Sequence, residues 1–233
     1  HVSGNVYVMA YAGSGNNGFL KTYTLNNDGS ISTINTDEHD DGTGTWNSIV
    51  KVSGTIYALA YTGNSSASYL KTFNISNDGN DIEALAQNIH DTEGSWHSLV
   101  KADDNTLVLA YAGYSSDGFI KTFTISSNGS ITQVSSREHN TSQGTSNSLV
   151  KMDEDSYALA YAGHGSDGYI SIFTIPDDGS SITYDLAVEH NNIYGAYNSF
   201  VQVDYNTYAL AYRGYDSNDE YEMLQTFTIP LDG

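Results

Sequence analysis

The chain has 233 residues, and its 28 Asp and Glu against 8 Lys and Arg set a formal net charge of −20. A surface this acidic repels phosphate backbones and anionic lipid, which argues against nucleic acid as a partner and against membrane insertion. The absence of Cys removes disulfides and thiolate metal sites, and no apolar run approaches the ~20 residues a membrane helix needs.

Along the chain one sentence recurs. YVMAYAG, YALAYTG, LVLAYAG, YALAYAG and YALAYRG place Tyr11, Tyr61, Tyr111, Tyr161 and Tyr212 at intervals of 50, 50, 50 and 51 residues. Each motif alternates large side chains with Ala or another small residue, the period of a strand. Neither face carries charge, so both faces are expected to be buried, the small face allowing close approach of a neighbouring sheet. A second strand rich in β-branched and aromatic residues follows, as in FIKTFTI (Phe119–Ile125). NDG, SNG or DDG then signals a hairpin turn. The third strand is ITQVSSREH (Ile131–His139) and the fourth SLVKM (Ser148–Met152). No stretch shows a 3.6-residue period.

Four antiparallel strands per ~40–50 residues, repeated, mark β-propeller blades. One sheet cannot bury both faces alone, whereas copies around an axis bury them against one another. The first two strands occur five times and the last two four times. The expected architecture is an all-β propeller of five four-stranded blades with one blade incomplete. It forms a single domain over 1–233, with repeats at about 1–50, 51–100, 101–150, 151–201 and a partial 202–233. An incomplete blade also offers a route to self-association.

The pattern YALAYAG, DGFIKTFTI, DG, EH, WNSLVK resembles the repeats of large secreted or surface-anchored proteins of marine bacteria and archaea, a β-propeller family without a well-defined function. The resemblance covers the whole chain, implies an extracellular or cell-surface location, and transfers no catalytic residues. Five-bladed lectins such as tachylectin are similar in size and blade number only.

Three sets of residues are candidates for chemistry. Before the fourth strand, GTWNS, GSWHS, GTSNS and GAYNS place Trp46, Trp96 and Tyr197 at one repeat position and Asn47, His97, Asn147 and Asn198 at the next. A ring beside an amide is how sugars are held, the ring on the C–H face and the amide on hydroxyls. The alternative is that the aromatic fills the gap between blades while the amide caps a turn. In the polar loops after the first strand, Asp117, Asp167, Asp216 and Asp219 are candidate Ca²⁺ ligands, although no loop carries a complete Ca²⁺-loop spacing. Six lysines fall at two repeat positions (Lys21, Lys71, Lys121; Lys51, Lys101, Lys151), a pattern read as pairing with carboxylates and packing over aromatic rings. Catalysis in a propeller needs residues that break the repeat, and the copies look too alike. The expectation is therefore a non-catalytic, glycan-binding adhesion module with several weak sites and no cofactor beyond possible Ca²⁺. A purely structural spacer is the alternative, and a glycoside hydrolase the third reading.

Overall fold

The computed structural model describes residues 1–216 and 219–230. Its eighteen strands form five antiparallel sheets. Blade one holds β1 (Val6–Ala12), β2 (Gly18–Leu25) and β3 (Ile31–Asp40). Blade two holds β4 (Thr45–Ser53), β5 (Ile56–Thr62), β6 (Ser68–Ile75) and β7 (Ile82–Asp91). Blade three holds β8 (Ser95–Lys101), β9 (Thr106–Ala112), β10 (Gly118–Ile125) and β11 (Ile131–Asn140). Blade four holds β12 (Thr145–Lys151), β13 (Ser156–Ala162), β14 (Gly168–Thr174) and β15 (Thr183–Asn191), and blade five β16 (Ala196–Asp204), β17 (Thr207–Asp216) and β18 (Asp219–Thr228). Among the described residues no helix is long and apolar enough to cross a membrane.

The five-bladed propeller expected from the repeat is present, but blade and repeat are out of phase. The SLVK-type strand does not finish the blade before it; it pairs with the following YALAY strand. There it becomes the innermost strand. β4, β8, β12 and β16 pack on one another around the axis, tied by serines: the amides of Leu99, Leu149 and Phe200 donate to Ser48, Ser98 and Ser148 of the preceding blade. The phase shift makes two sheets three-stranded. Among the described residues, blade one lacks an innermost strand and blade five an outermost one.

The alternation in YALAY explains the packing. In blade two, Tyr57, Leu59 and Tyr61 face Val6 and Leu20 of blade one, while Ala58 and Ala60 face Leu107, Leu109 and Tyr111 of blade three. The next two interfaces repeat this: Ala110 of blade three meets Leu159 and Tyr161, and Ala158 and Ala160 of blade four meet Tyr208 and Leu210. A small face receives a large face, so the sheets approach closely at every junction. Each fully buried Leu or aromatic contributes about 1.5–3 kcal/mol from apolar burial.

The lysines staple neighbouring blades. Lys71 Nζ donates to the His39 carbonyl at 2.8 Å and Lys121 Nζ to the His90 carbonyl at 2.6 Å, while Lys51 reaches the Val2 carbonyl at 2.7 Å. Carboxylate partners exist for Lys101, Lys121 and Lys151, and five of the six lysines sit over an aromatic ring. Backbone carbonyls are the principal partners at the buried positions, because a blade interface offers carbonyls wherever a strand ends.

Candidate functional site

One end of the propeller is built from two kinds of loop. Between β1 and β2, β5 and β6, β9 and β10, and β13 and β14 the chain makes a tight turn whose two central residues both lie in the left-handed region: Gly15 and Asn16, Ser65 and Ser66, Ser115 and Ser116, Gly165 and Ser166. Such paired positive φ values match the right-handed twist of a hairpin. The loop from each outermost strand to the next innermost strand lies against these turns. The amides of Gly44, Gly94 and Gly144 donate to the carbonyls of Asn16, Ser66 and Ser116, each at 2.8 Å. The rim is therefore held by backbone hydrogen bonds.

At the start of each innermost strand the ladder slips by a bulge, with Thr45, Ser95, Thr145 and Ala196 on one side and Ser48, Ser98, Ser148 and Ser199 on the other. Trp46, Trp96, Ser146 and Tyr197 occupy the bulges with φ of 53–57°, a conformation that costs a bulky residue energy and persists only where its surroundings enforce it. The bulge throws the side chain onto the end of the propeller. Trp46 and Trp96 pack with centroids 3.8 Å apart and their planes tilted by 39°, and Tyr197 meets Trp96 edge-on at 5.4 Å across the buried Ser146. Trp46 and Tyr197 stay 44% and 55% exposed. Arg213 lies over Tyr197 and Tyr194, 4.7 and 5.0 Å from their centroids, donates to the Tyr194 hydroxyl and pairs with Glu220.

The three expected aromatics thus form one cluster. Their polar neighbours act inside the scaffold. Asn147 Nδ2 donates to the Trp96 carbonyl, Asn198 Nδ2 to the Ser146 carbonyl, and His97 Nδ1 to the Trp46 carbonyl, each reaching the preceding blade at 3.1–3.2 Å. Asn47 donates to the Gly44 carbonyl within its own loop. These groups hold the bulges in place. Asp117 and Asp167 close the tight turns of blades three and four through their backbone, and Asp219 is exposed at the start of β18; the side chain of Asp216 lies outside the described residues. Among the described residues no three His, Asp or Glu side chains converge as metal ligands.

Beside Trp46 lies a cavity of about 560 Å³ between blades one, two and three. Its lining is mostly hydroxyls and glycine backbone, including Thr45, Thr62, Ser65 and Ser95, with a single titratable group, Glu93. Here the repeat breaks. The glycines 44, 94, 144 and 195 align the four loops, and the residue before them is Thr43, Glu93, Gln143 and Tyr194. The loop Asp91–Gly94 is one residue shorter than Asp40–Gly44, Asn140–Gly144 and Asn191–Gly195. Thr62 stands where other blades carry Ala or Arg213, and its hydroxyl donates to the Gly94 carbonyl. Behind Gly94, Ser68 replaces Gly18, Gly118 and Gly168 of blades one, three and four, and His97 at the start of β8 replaces Asn47, Asn147 and Asn198 of blades two, four and five.

Ser68 and His97 form a buried chain. His97 Nδ1 carries its proton to the Trp46 carbonyl, so Nε2 accepts from the Ser68 hydroxyl at 2.6 Å, and Ser68 Oγ accepts from His90 Nε2 at 2.8 Å. In the other blades no side chain fits there, because a Cβ on Gly18, Gly118 or Gly168 would fall 2.2–2.5 Å from the histidine ring. Those rings, His39, His139 and His190, stand edge-on to Tyr61, Tyr161 and Tyr212 of the next blade, 4.7–4.8 Å between centroids. Burial lowers the pKa of His39, His97 and His190 to about 4 and of His139 to about 3, and pushes His90 well below its usual range.

The family described as lactonase, 7-bladed beta-propeller, matches residues 5–147. The chain belongs to this lactonase family. The match spans blades one to three and every residue that lines the cavity. Membership overturns the expectation of a non-catalytic glycan-binding or adhesion module, and it supports neither the spacer nor the glycoside hydrolase. The physical cause of the misreading is that four departures from the repeat sit far apart in sequence and meet only in the fold. No curated protein matches the chain. Among solved structures, a 6-phosphogluconolactonase candidate from Bacteroides fragilis superposes with a TM-score of 0.63 at 12% identity, over 97% of this chain and 68% of that one. Saccharomyces cerevisiae Sqt1 gives 0.61 at 12% identity, over 91% and 55%. The NanB sialidase of Streptococcus pneumoniae gives 0.62 at 12% identity, over 92% and 36%. These likenesses speak to the propeller fold alone, and within that fold the described residues of this chain form five sheets.

The departures were visible in the sequence. Aligning the repeats on the loop glycine isolates Glu93, and aligning them on the YALAY motif isolates Thr62 and Ser68. Both signals are overlooked when likeness between copies is weighed above difference.

Proposed function

We propose that this lactonase-family chain hydrolyses an uncharged lactone in the cavity beside Trp46, with Glu93 as general base. The observation that supports this most is the coincidence of three features: the family match, the cavity, and the lone carboxylate at the place where blade two departs from the repeat. Hydrolysis needs a water made nucleophilic next to an electrophilic carbonyl. Glu93 takes the water proton as the oxygen adds to the carbonyl carbon. Hydroxyls in the lining, Ser65 and Ser95 among them, serve as donors for the charge that develops on the carbonyl oxygen. The ring C–O bond then breaks, the departing alkoxide takes a proton, and a hydroxy acid leaves. Trp46 provides the apolar wall for the ring.

Charge selects the substrate. The cavity lining holds no Lys or Arg, and the chain carries −20 overall. A phosphorylated lactone would enter against this field without a counter-ion, whereas a neutral lactone enters freely and its anionic product is expelled. Acid release from a panel of neutral γ- and δ-lactones in a pH-stat tests the reading. Glu93→Gln is expected to lower the rate about 10²–10⁴-fold. No acid from any lactone, or an unchanged rate in Glu93→Gln, would overturn it.

Two further proposals stand apart from the chemistry. A location outside the cell or at its surface is one, testable by finding the chain in the medium or surface fraction of the cells that make it. Ca²⁺ on the turns that carry Asp117 and Asp167 is testable by the melting temperature with Ca²⁺ and after a chelator.

A further inference from the structure

Each loop that leads into an innermost strand ends on a glycine whose carbonyl needs a donor. In three of the four loops the strand that follows provides it. Asn47, Asn147 and Asn198 turn Nδ2 back to the carbonyls of Gly44, Gly144 and Gly195 at 2.7, 2.8 and 3.0 Å. In the same loops the residue before the glycine is held as well. The amides of Thr43, Gln143 and Tyr194 donate to Oδ1 of Asp40, Asn140 and Asn191 at 3.0–3.1 Å.

The loop that carries Glu93 is held differently. His97 stands at the Asn position and spends Nδ1 on the Trp46 carbonyl and Nε2 on Ser68. Asp91 Oδ1 takes the amide of Thr92, and its Oδ2 takes the Tyr111 hydroxyl and the Lys121 ammonium. The donor to the Gly94 carbonyl is the hydroxyl of Thr62, at the end of β5. Ala12, Ala112 and Ala162 occupy its repeat position in the blades that carry the other three loops. The two exchanges are therefore matched: His97 takes the usual donor away, and Thr62 supplies one from another strand. Two contacts complete the clamp. The Gly94 amide donates to the Ser66 carbonyl at 2.8 Å, and a Cβ on Gly94 would fall 2.4 Å from that of Ser68. Thr62 is buried and lines the same cavity as Glu93.

We propose that Thr62 is a positioning residue, whose hydroxyl fixes the peptide after Glu93 and so aims the Glu93 carboxylate into the cavity; this rests on the reading of Glu93 as general base. The choice of residue has a physical reason. An Asn three positions after the glycine belongs to the same stretch of chain and moves with it. Thr62 instead ties the loop to a strand paired on both sides, with Thr45 and Ser68 as its register partners, and a β-branched side chain there has little rotamer freedom. A general base gains from such a tether, because a displacement of about 1 Å costs up to about 10²-fold in rate. Thr43, Gln143 and Tyr194, which bear no carboxylate, sit on loops held by their own residues.

The test is acid release from the lactone panel by Thr62→Val, which keeps the shape and removes the hydroxyl. Its kcat is expected to fall about 10–100-fold with KM little changed, and Thr62→Ser to restore most of the rate. In a Glu93→Gln background Thr62→Val should cost nothing further, because no base is left to aim. Adding Ser68→Gly and His97→Asn to Thr62→Ala rebuilds the arrangement of the other loops and should recover about 10-fold of the lost rate. A readout without substrate is hydrogen exchange of the Gly94 amide, expected to quicken about 10-fold in Thr62→Val while the amides of Gly44 and Gly144 keep their rates and report an intact fold. An unchanged kcat in Thr62→Val, no rescue by Thr62→Ser or by the rebuilt loop, an additive loss in the Glu93→Gln background, or an unchanged Gly94 exchange rate would each overturn the proposal while Glu93→Gln remains inactive. A full rate in Glu93→Gln, or no acid from any lactone, removes the reading of Glu93 and this role of Thr62 with it.

Discussion

Blades one and two are written in nearly the same words, and at corresponding places they do different things. In blade one, Gly18 leaves room for the His39 ring, and the Asn47 that follows it at the start of β4 keeps to the Gly44 carbonyl of its own loop. In blade two, Ser68 occupies that space and links His90 to His97, and a shortened loop brings Glu93 to the cavity. The shared residues, YALAY above all, build the interfaces; the unshared ones build the pocket. Repetition thus makes a scaffold whose packing is solved once, and a site arises where a few linked substitutions break it.

The largest effect that separates the two roles is the loss of activity in Glu93→Gln, which leaves the melting temperature unchanged. The opposite signature belongs to the shared core. Leu109→Ala, at a fully buried position between blades two and three, is expected to cost about 2–5 kcal/mol in denaturant unfolding. The half-exposed Trp46 truncated to Ala should cost less than Leu109→Ala, and equal costs would show that Trp46 is a packing residue.

A smaller effect tests the buried chain in blade two. Ser68→Ala leaves His97 Nε2 and the His90 N–H without partners, at about 1–3 kcal/mol. Ser68→Gly with His97→Asn rebuilds the Gly18/Asn47, Gly118/Asn147 and Gly168/Asn198 arrangement found at the other junctions and is expected to be more stable than the single variant. If the single variant is the more stable of the two, the blades do not share one design.

Acid provides the mildest test. In the unfolded chain histidine titrates near pH 6.5, but His39, His97 and His190 titrate at about 4 in the folded chain because burial disfavours the cation. Between those values the unfolded state binds more protons. The stability present above pH 6.5 is therefore lost as pH falls toward 4. The melting temperature should drop through that window, and His139→Gln should flatten the part that His139 contributes.

Sequence alone determined the strand count, the propeller class and, in blades two to four, the burial of both YALAY faces, because a period of two and a period of fifty are local properties of the chain; in β1 and β17 one face stays partly exposed. It also carried the aromatic cluster of Trp46, Trp96 and Tyr197, since equivalent repeat positions must meet around an axis. Tertiary structure decided the rest. Only pairing shows that the SLVK strand begins a blade, because strand order follows from hydrogen bonds across the sheet. Only packing shows that Asn147 and Asn198 through Nδ2, and His97 through Nδ1, are tied to carbonyls of the neighbouring blade. Glu93, Thr62, Ser68 and His97 come together because β5, β6 and β7 fold back on one another in blade two and the chain then returns through β8 at the start of blade three. Their convergence is a fact of three-dimensional distance, which no linear spacing encodes.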